Sequence, residues 1–178
     1  MWEKLTNPEI SYLYLFCLML FSYYLGKMDY KNELKKIPRS LRKLPNLKIL
    51  NISNNQIKRI PRWIKNMEKL EDLDLNFNQL HLTKASIRRL KNMKIIQMGG
   101  NHLTKLPKNM GDLQRIQKPN LGKNQLAEVP ASIAQLDSLT TLIFYTNKFK
   151  HIPTEITQLK QLNELDLYYN ELETIPNT

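Results

Sequence analysis

An asparagine recurs along this chain with a constant spacing of 23 residues. The members of the series are Asn32, Asn55, Asn78, Asn101, Asn124, Asn147 and Asn170. Seven asparagines in one strict register are not a product of chance, so the chain is built from internal repeats. A repeat of this length is one supersecondary unit, which buries its apolar face only by stacking on its neighbours. The register therefore restricts the fold to an array of stacked units.

The apolar residues change their spacing at each asparagine. Before it they stand two apart, as in Leu73 and Leu75, which is the period of a strand with one buried face. After it they stand three and four apart, as in Ile60, Ile64 and Met67, which is the period of a helical turn. A proline suited to the first helical position follows the changeover at Pro38, Pro61, Pro107, Pro130, Pro153 and Pro176. Each unit is therefore predicted to contain a strand, a turn and a short helix.

The pattern L-x-x-L-x-L-x-x-N-x-L-x-x-I-P-x-x-I-x-x-L resembles the 23-residue leucine-rich repeats of intracellular Ras-suppressor-like and Ras-scaffold proteins, over about residues 24–178. The resemblance implies an α/β fold, a leucine-rich-repeat solenoid forming a curved horseshoe segment. Its parallel β-sheet would be concave, and short helical or 3-10 segments would form the convex side. We divide the chain into a hydrophobic N-terminal segment (1–26), a degenerate basic half-repeat (27–46), and five full repeats with one truncated repeat (47–178).

The recurrent asparagine marks the point where the backbone of each unit bends inward. Its amide can both donate to and accept from backbone groups that would otherwise be buried without partners. The seven asparagines are therefore predicted to form a structural asparagine ladder and not a ligand site. After the last of them the sequence stops short of a convex helix, so we expect the apolar edge of the last unit to be open. Either a partner covers this edge, or the chain is a shortened form of a longer array.

Three units depart from the pattern. Pro119 takes the place of a strand leucine, and because proline has no N–H, the fourth strand is expected to be weakened or locally bulged. Thr83 and Lys84 replace the apolar–proline step, so the convex side of the second unit is expected to be irregular. In the first unit Lys27 and Asp29 hold strand positions that are apolar elsewhere, which indicates that this half-repeat is a cap.

Residues 10–26 contain no charged side chain. A signal peptide is disfavoured, because the preceding residues are not net positive and no small-x-small cleavage site follows. Two interpretations stay open. The segment is a short membrane span, with the basic residues after it keeping the repeats on the cytoplasmic side, or it is a cap over the apolar edge of the first repeat. Both place the repeats inside the cell, and the single cysteine, Cys17, also favours a reducing compartment.

The formal net charge of +11 is concentrated in one part of the chain. Residues 27–69 contain 13 Lys or Arg against three acids, whereas residues 70–178 contain 13 against 11. A domain that coats nucleic acid more often spreads its basic residues along one face, with aromatic side chains for stacking. Nucleic acid is therefore disfavoured as a partner. If residues 10–26 form an anchor, the basic stretch is suited to anionic lipid beside it.

The sequence contains no constellation that supports catalysis, a cofactor or a metal. His81, His102 and His151 fall in three different units, without a cysteine or an ordered carboxylate cluster beside them. Gly99 and Gly100 are not followed by the lysine and hydroxyl residue of a phosphate-binding loop. We therefore predict a non-enzymatic protein with no catalytic residues, no metal ligands and no cofactor.

The concave side of the predicted sheet is the remaining candidate site. Its outward strand positions, called the strand face below, are Ile49, Asn51, Ser53, Asp72, Asp74, Asn76, Ile95, Gln97, Gly99, Lys118, Asn120, Gly122, Thr141, Ile143, Tyr145, Glu164, Asp166 and Tyr168. Phe77 and Tyr169 lie one step beyond it. Acids and aromatic residues stand out on this surface, and aromatic residues are over-represented among interface hot spots. We predict that a partner binds through Asp72, Asp74, Phe77, Tyr145, Glu164, Asp166 and Tyr168.

These features predict a protein–protein interaction scaffold in intracellular signalling. The resemblance to Ras-pathway repeat proteins suggests a small GTPase or a phosphatase subunit as the partner. The alternative is a single-pass protein tethered to the membrane through residues 10–26, with cytoplasmic repeats.

Overall fold

Six short strands form one parallel sheet in the computed structural model, which describes residues 32–174. Contacts divide the chain into Met1–Asn32 and Glu33–Thr178, and all six strands belong to the second unit. The strands are β1 (Ile49–Asn51), β2 (Asp72–Asp74), β3 (Ile95–Gln97), β4 (Lys118–Asn120), β5 (Thr141–Ile143) and β6 (Glu164–Asp166). Each strand pairs with the next at a 23-residue offset, so that Ile49 pairs with Asp72 and Asp72 with Ile95. The prediction of a parallel sheet built from stacked repeats is confirmed.

Short helical segments return the chain from one strand to the next. Five of those within residues 32–174 are 3-10 helices: η1 (Arg39–Lys43), η2 (Arg62–Asn66), η3 (Met110–Asp112), η4 (Ala131–Gln135) and η5 (Thr154–Gln158). Extended prolines occupy the N-cap positions of four of them, at Pro38, Pro61, Pro130 and Pro153. The sequence predicted them one residue further along, at the first helical position. Pro107 was predicted there as well, but it lies three residues before η3, whose N-cap is Asn109. The extended proline backbone fixes the direction in which each turn begins.

The unit without this proline forms the one α-helix of the described region, α1 (Lys84–Arg89). Thr83 is its N-cap, and the Thr83 hydroxyl accepts a hydrogen bond from the Ser86 N–H. The Ser86 hydroxyl accepts from the Thr83 N–H in return, which completes a capping box. The second unit therefore departs from the pattern, as expected. The prediction that its convex side is irregular is wrong. Side chains cap the helix here, and the turn continues as a regular α-helix.

A single apolar cluster fills the space between the sheet and the helical segments. Leu73 and Leu75 are fully buried, as their spacing of two predicts, and Ile64 closes the same core from the helical side. In the last unit Leu165 and Leu167 are only half-buried. The core is therefore less well covered beside β6 than beside the inner strands.

Asparagine side chains tie consecutive units together. The Nδ2 of Asn101 donates to the carbonyl oxygens of Leu75, in the preceding unit, and Met98, in its own unit, both at 3.0 Å. Its Oδ1 accepts the N–H of Leu80, in the preceding unit, at 3.1 Å. The same three bonds are made by Asn78, Asn124, Asn147 and Asn170. Asn55 accepts from the Leu34 N–H, while Asn32, the first described residue, is exposed.

The proline in β4 weakens the sheet on one side only. Pro119 is buried in the core position of its strand and pairs with Ile96 of β3, within a register of three residue pairs. Between β4 and β5 the register is reduced to one pair, Asn120 with Ile143. The missing N–H removes a donor from this side of the strand. The expectation of a weakened fourth strand is thus met, towards β5 and not towards β3.

Several sequence predictions lie outside residues 32–174. They are the segment 10–26 with Cys17, the substitutions Lys27 and Asp29 in the half-repeat, and Pro176 of the last unit. Within residues 32–174, no helix has the length and apolar content that a bilayer crossing requires.

Candidate functional site

The strand face and the two aromatic residues just beyond it, Phe77 and Tyr169, divide into residues that are open to solvent and residues that are covered by neighbouring side chains. Tyr168 is 65% exposed and Phe77 is 46% exposed, whereas Tyr145 is half-buried. Ile49, at the first strand, is also 60% exposed although it is apolar. The predicted site residues therefore form an accessible surface rather than part of the core.

Two carboxylates on β2 are held in a partly desolvated position. Burial raises the pKa of Asp72, and the adjacent charge of Asp74 raises it further. Burial also raises the pKa of Asp74, while a hydrogen bond from the Asn76 N–H acts in the opposite direction. Neither carboxylate forms a salt bridge with a lysine or arginine of residues 32–174. A cation or hydrogen-bond donor brought by a ligand would stabilise their charged forms.

Two of the predicted acids also hold their own backbone turns. Oδ1 of Asp74 accepts the N–H of Asn76 at 2.9 Å, and Oδ1 of Asp166 accepts the N–H of Tyr168 at 3.0 Å. Asn51 and Asn120 make the same bond in their units, to Ser53 and Gly122. This position therefore has a structural role that an asparagine performs equally well. The negative charge of Asp74 and Asp166 is not needed for it.

The residue that precedes each ladder asparagine from Asn55 to Asn170 has a left-handed backbone. These residues are Asn54, Phe77, Gly100, Lys123, Thr146 and Tyr169, with φ between 50° and 66°. The conformation turns Phe77 along the sheet, so that its ring covers Gly100 of the next unit, where an added Cβ would collide with it. The Nζ of Lys123 lies 5.5 Å from the centroid of the same ring. The Phe77 ring thus packs on Gly100 and has the Lys123 ammonium group beside it.

A second aromatic group stands at the other end of the sheet. The ring of Tyr145 covers Gly122, where any Cβ would collide with it. The rings of Tyr168 and Tyr169 stack at a tilt, with their centroids 4.1 Å apart. Beside them on β6, Glu164 accepts a hydrogen bond from the hydroxyl of Thr141 at 3.3 Å.

The structure brings the predicted residues together in two clusters, not one. The first cluster consists of Asp72, Asp74 and Phe77, and the second consists of Tyr145, Glu164, Asp166 and Tyr168. Because neighbouring strands are about 4.8 Å apart, the acids of β2 and β6 are separated by roughly 19 Å. The predicted site did not include Tyr169 or the supporting glycines Gly100 and Gly122. The sequence indicates Tyr169 as a site residue, because it follows Tyr168 directly. It does not indicate the glycines, because their role depends on the left-handed turn.

The three histidines are exposed and lie in separate units. Nδ1 of His151 is 2.9 Å from the Thr174 hydroxyl, and His102 has a left-handed backbone with φ 58°. Residues 32–174 contain no group of three or more His, Cys, Asp or Glu side chains placed to hold a metal ion.

Comparison with protein families gives two matches that together span residues 31–178. The leucine-rich repeat region family matches residues 73–178, and the leucine rich repeat family matches residues 31–80. No curated protein matches the chain by sequence.

Solved structures share the architecture over most of the chain. A leucine-rich-repeat protein of Leptospira interrogans is 30% identical, with a TM-score of 0.71 over 80% of this chain and 36% of its own. The leucine-rich repeat domain of the type III effector XopL is 26% identical, with a TM-score of 0.67 over 81% and 52%. An internalin of Listeria monocytogenes, 21% identical with a TM-score of 0.63 over 79% and 44%, shares the fold. This chain therefore spans about a third to a half of the chains it matches.

Proposed function

Because the chain belongs to the leucine-rich-repeat family, whose domains generally mediate protein–protein interaction, we propose that it is a non-enzymatic scaffold that binds a folded protein partner across the strand face. The observation that carries this proposal is the pair of clusters on that face. Each cluster combines carboxylates with exposed aromatic rings, the residue types that anchor protein interfaces.

The charge of the clusters favours a partner with a basic surface. Asp72 and Asp74 are partly desolvated and have no cation of residues 32–174 in salt-bridge contact. A lysine or arginine from a partner would compensate both carboxylates at once. The separation of roughly 19 Å between β2 and β6 suits a folded surface that touches both clusters, because single interfaces of stable complexes bury about 800 Å² on each partner.

The resemblance to Ras-suppressor-like and Ras-scaffold proteins supports a role in intracellular signalling. It makes a small GTPase or a phosphatase subunit the first partner to test, and it favours a cytoplasmic location. These assignments rest on the repeat pattern alone. Because the same scaffold serves many partners, the identity of the partner has to be tested by binding.

The test is affinity capture with variants that remove one property of the surface at a time. Asp74→Asn with Asp166→Asn removes two charges while keeping the acceptors for the Asn76 and Tyr168 N–H groups. Tyr145→Ala with Tyr168→Ala removes the second aromatic group. We expect both double variants to lose at least about tenfold in affinity for a purified small GTPase or phosphatase subunit that the wild-type chain captures.

The matched control changes the same number of charges away from the strand face. Glu128 is exposed and Glu155 is half-exposed, and both lie outside the strands, at the groove around Val129 and Pro153, so Glu128→Gln with Glu155→Gln should leave capture unchanged. Capture that survives both strand-face variants would refute binding through this surface.

The membrane-tethered alternative rests on the uncharged stretch 10–26 and the basic residues that follow it. Carbonate extraction of cell membranes tests it with the intact chain. Retention in the membrane pellet supports an anchor, and release into the supernatant excludes one.

A further inference from the structure

A half-open pocket of about 660 Å³ lies on the side of the solenoid where the chain leaves the asparagine ladder. Its walls come from three consecutive units, and its apolar floor is formed by Ile37, Pro61 and Trp63. Ile37 is almost fully buried, and the Trp63 indole is half-buried. This volume falls in the range of sites for small molecules, about 300–1,000 Å³.

Five cations surround this cavity, which we call the basic pocket. They are Lys35, Lys36, Arg39, Lys58 and Arg59. The lining contains no Asp or Glu. The ion pairs found in residues 32–174 join Glu71 to Lys94 and Arg115, and Lys150 to Glu173, so none of the five cations takes part in them. A concave site lined by several cations and by no acid of residues 32–174 attracts multiply charged anions.

The repeat itself provides a comparison for this charge. A groove of about 700 Å³ occupies the same side of the chain around Val129 and Pro153. Its lining contains three acids, Glu128, Glu155 and Glu171, together with Lys148, Lys150 and His151. Glu128 follows its ladder asparagine by the same four residues as Arg59. The stacked repeats thus form a cavity at both places, so the cavity itself follows from the fold. Of these two cavities, only the basic pocket is lined by cations without an acid.

We propose that the basic pocket binds a compact, multiply phosphorylated group, either on a soluble small molecule or on a lipid headgroup. Phosphate oxygens suit the guanidinium groups of Arg39 and Arg59 because each guanidinium can donate two parallel hydrogen bonds. The indole and proline of the floor provide an apolar surface for the carbon ring that carries the phosphates. The cations line one cavity and have a single aromatic neighbour in it, which differs from the extended stacking track used for single-stranded nucleic acid.

The fluorescence of Trp63 gives a direct binding signal. The chain has two tryptophans, so Trp2→Phe leaves Trp63 as the only indole and as a reporter inside the pocket. With this variant, inositol hexakisphosphate at physiological ionic strength should change the emission in a saturable, one-site manner. Vesicles of phosphatidylcholine with and without phosphatidylinositol bisphosphate distinguish the two sources. Sedimentation of the protein only with the vesicles that contain the bisphosphate lipid would assign a lipid headgroup as the ligand. Binding of inositol hexakisphosphate that is tighter than binding to these vesicles would assign a soluble ligand.

Two independent double variants test the pocket. Lys58→Gln with Arg59→Gln and Lys35→Gln with Lys36→Gln each remove two exposed cations, and each should weaken binding of inositol hexakisphosphate by about tenfold or more. The matched control is Lys105→Gln with Lys108→Gln, which removes the same charge from exposed positions further along the array. This control should change the affinity less than about twofold, as expected when only distant, screened charge is lost.

Three results would overturn the proposal. They are the absence of saturable binding to both probes, an equal loss of affinity in the control variant, and tighter binding of a single-stranded oligonucleotide than of inositol hexakisphosphate. The last two would indicate general attraction to polyanions instead of a built pocket.

Discussion

Replacement of Asn101 by alanine is predicted to destabilise the folded state by about 3–5 kcal/mol. The side chain is 3% exposed, so water does not replace its hydrogen bonds. Its removal leaves the Leu80 N–H unpaired, at about 1–3 kcal/mol, and takes one partner from the carbonyls of Leu75 and Met98, at about 1 kcal/mol each. Losses of this size are a large part of the total stability of a small domain, about 5–15 kcal/mol.

Asn101→Asp separates the donor role of the side chain from its shape. An aspartate has nearly the same size, and one of its oxygens can still accept the Leu80 N–H. Its other oxygen, however, would face the carbonyl oxygens of Leu75 and Met98, which the amide nitrogen contacts at 3.0 Å. We therefore expect Asn101→Asp to be at least as destabilising as Asn101→Ala, although it is the more conservative change in volume.

The assay is urea unfolding at pH 7, followed by far-ultraviolet circular dichroism, for the wild type and both variants. Asn163→Ala serves as the control, because Asn163 is exposed and should change the free energy of unfolding by less than about 0.5 kcal/mol. Wild-type free energies of unfolding in both Asn101 variants would refute the structural role of this side chain. A markedly more stable aspartate variant would refute the donor role in particular.

Three further predictions concern single features of the fold. Thr83→Ala should lower the free energy of unfolding by about 1 kcal/mol because it breaks the capping box of α1, whereas Thr104→Ala, at an exposed site, should not. Thr146→Asn should raise it by about 1 kcal/mol, because asparagine tolerates the left-handed φ of 54° better than a β-branched residue does; an unchanged midpoint would contradict this. Asp72→Asn with Asp74→Asn should stabilise the protein at pH 7. Burial raises both pKa values in the folded state, so the wild type gains stability as the pH falls through these raised values towards 3.8, and the difference between the two proteins should vanish below that range.

The fold could be predicted because its determinants repeat. One buried pair such as Leu73 and Leu75 is weak evidence, but the same pair every 23 residues leaves a single arrangement that buries all of them. The unit that forms an α-helix instead of the predicted irregular turn is the unit where this repetition fails. There the local bonds between Thr83 and Ser86 determine the structure, and a pattern of apolar residues carries no information about them.

The candidate site was less predictable because it depends on relations between units. The sequence shows that Phe77 and Gly100 occupy equivalent positions, but not that the left-handed backbone turns the ring of one onto the other. It shows Asp74 and Asp166 as outward acids, but not that each holds its own turn. The basic pocket likewise requires three units to be in contact before its cations surround one cavity.

Binding of a folded partner across the strand face is tested most directly by hydrogen exchange of the chain with and without a captured partner. We expect the partner to slow exchange at residues 72–78, at the end of β2, and at residues 143–147 and 166–170, at the ends of β5 and β6, with no change in η2, η4 and η5. Slower exchange confined to the 3-10 helices, with unchanged rates at the ends of β2, β5 and β6, would contradict binding across this face.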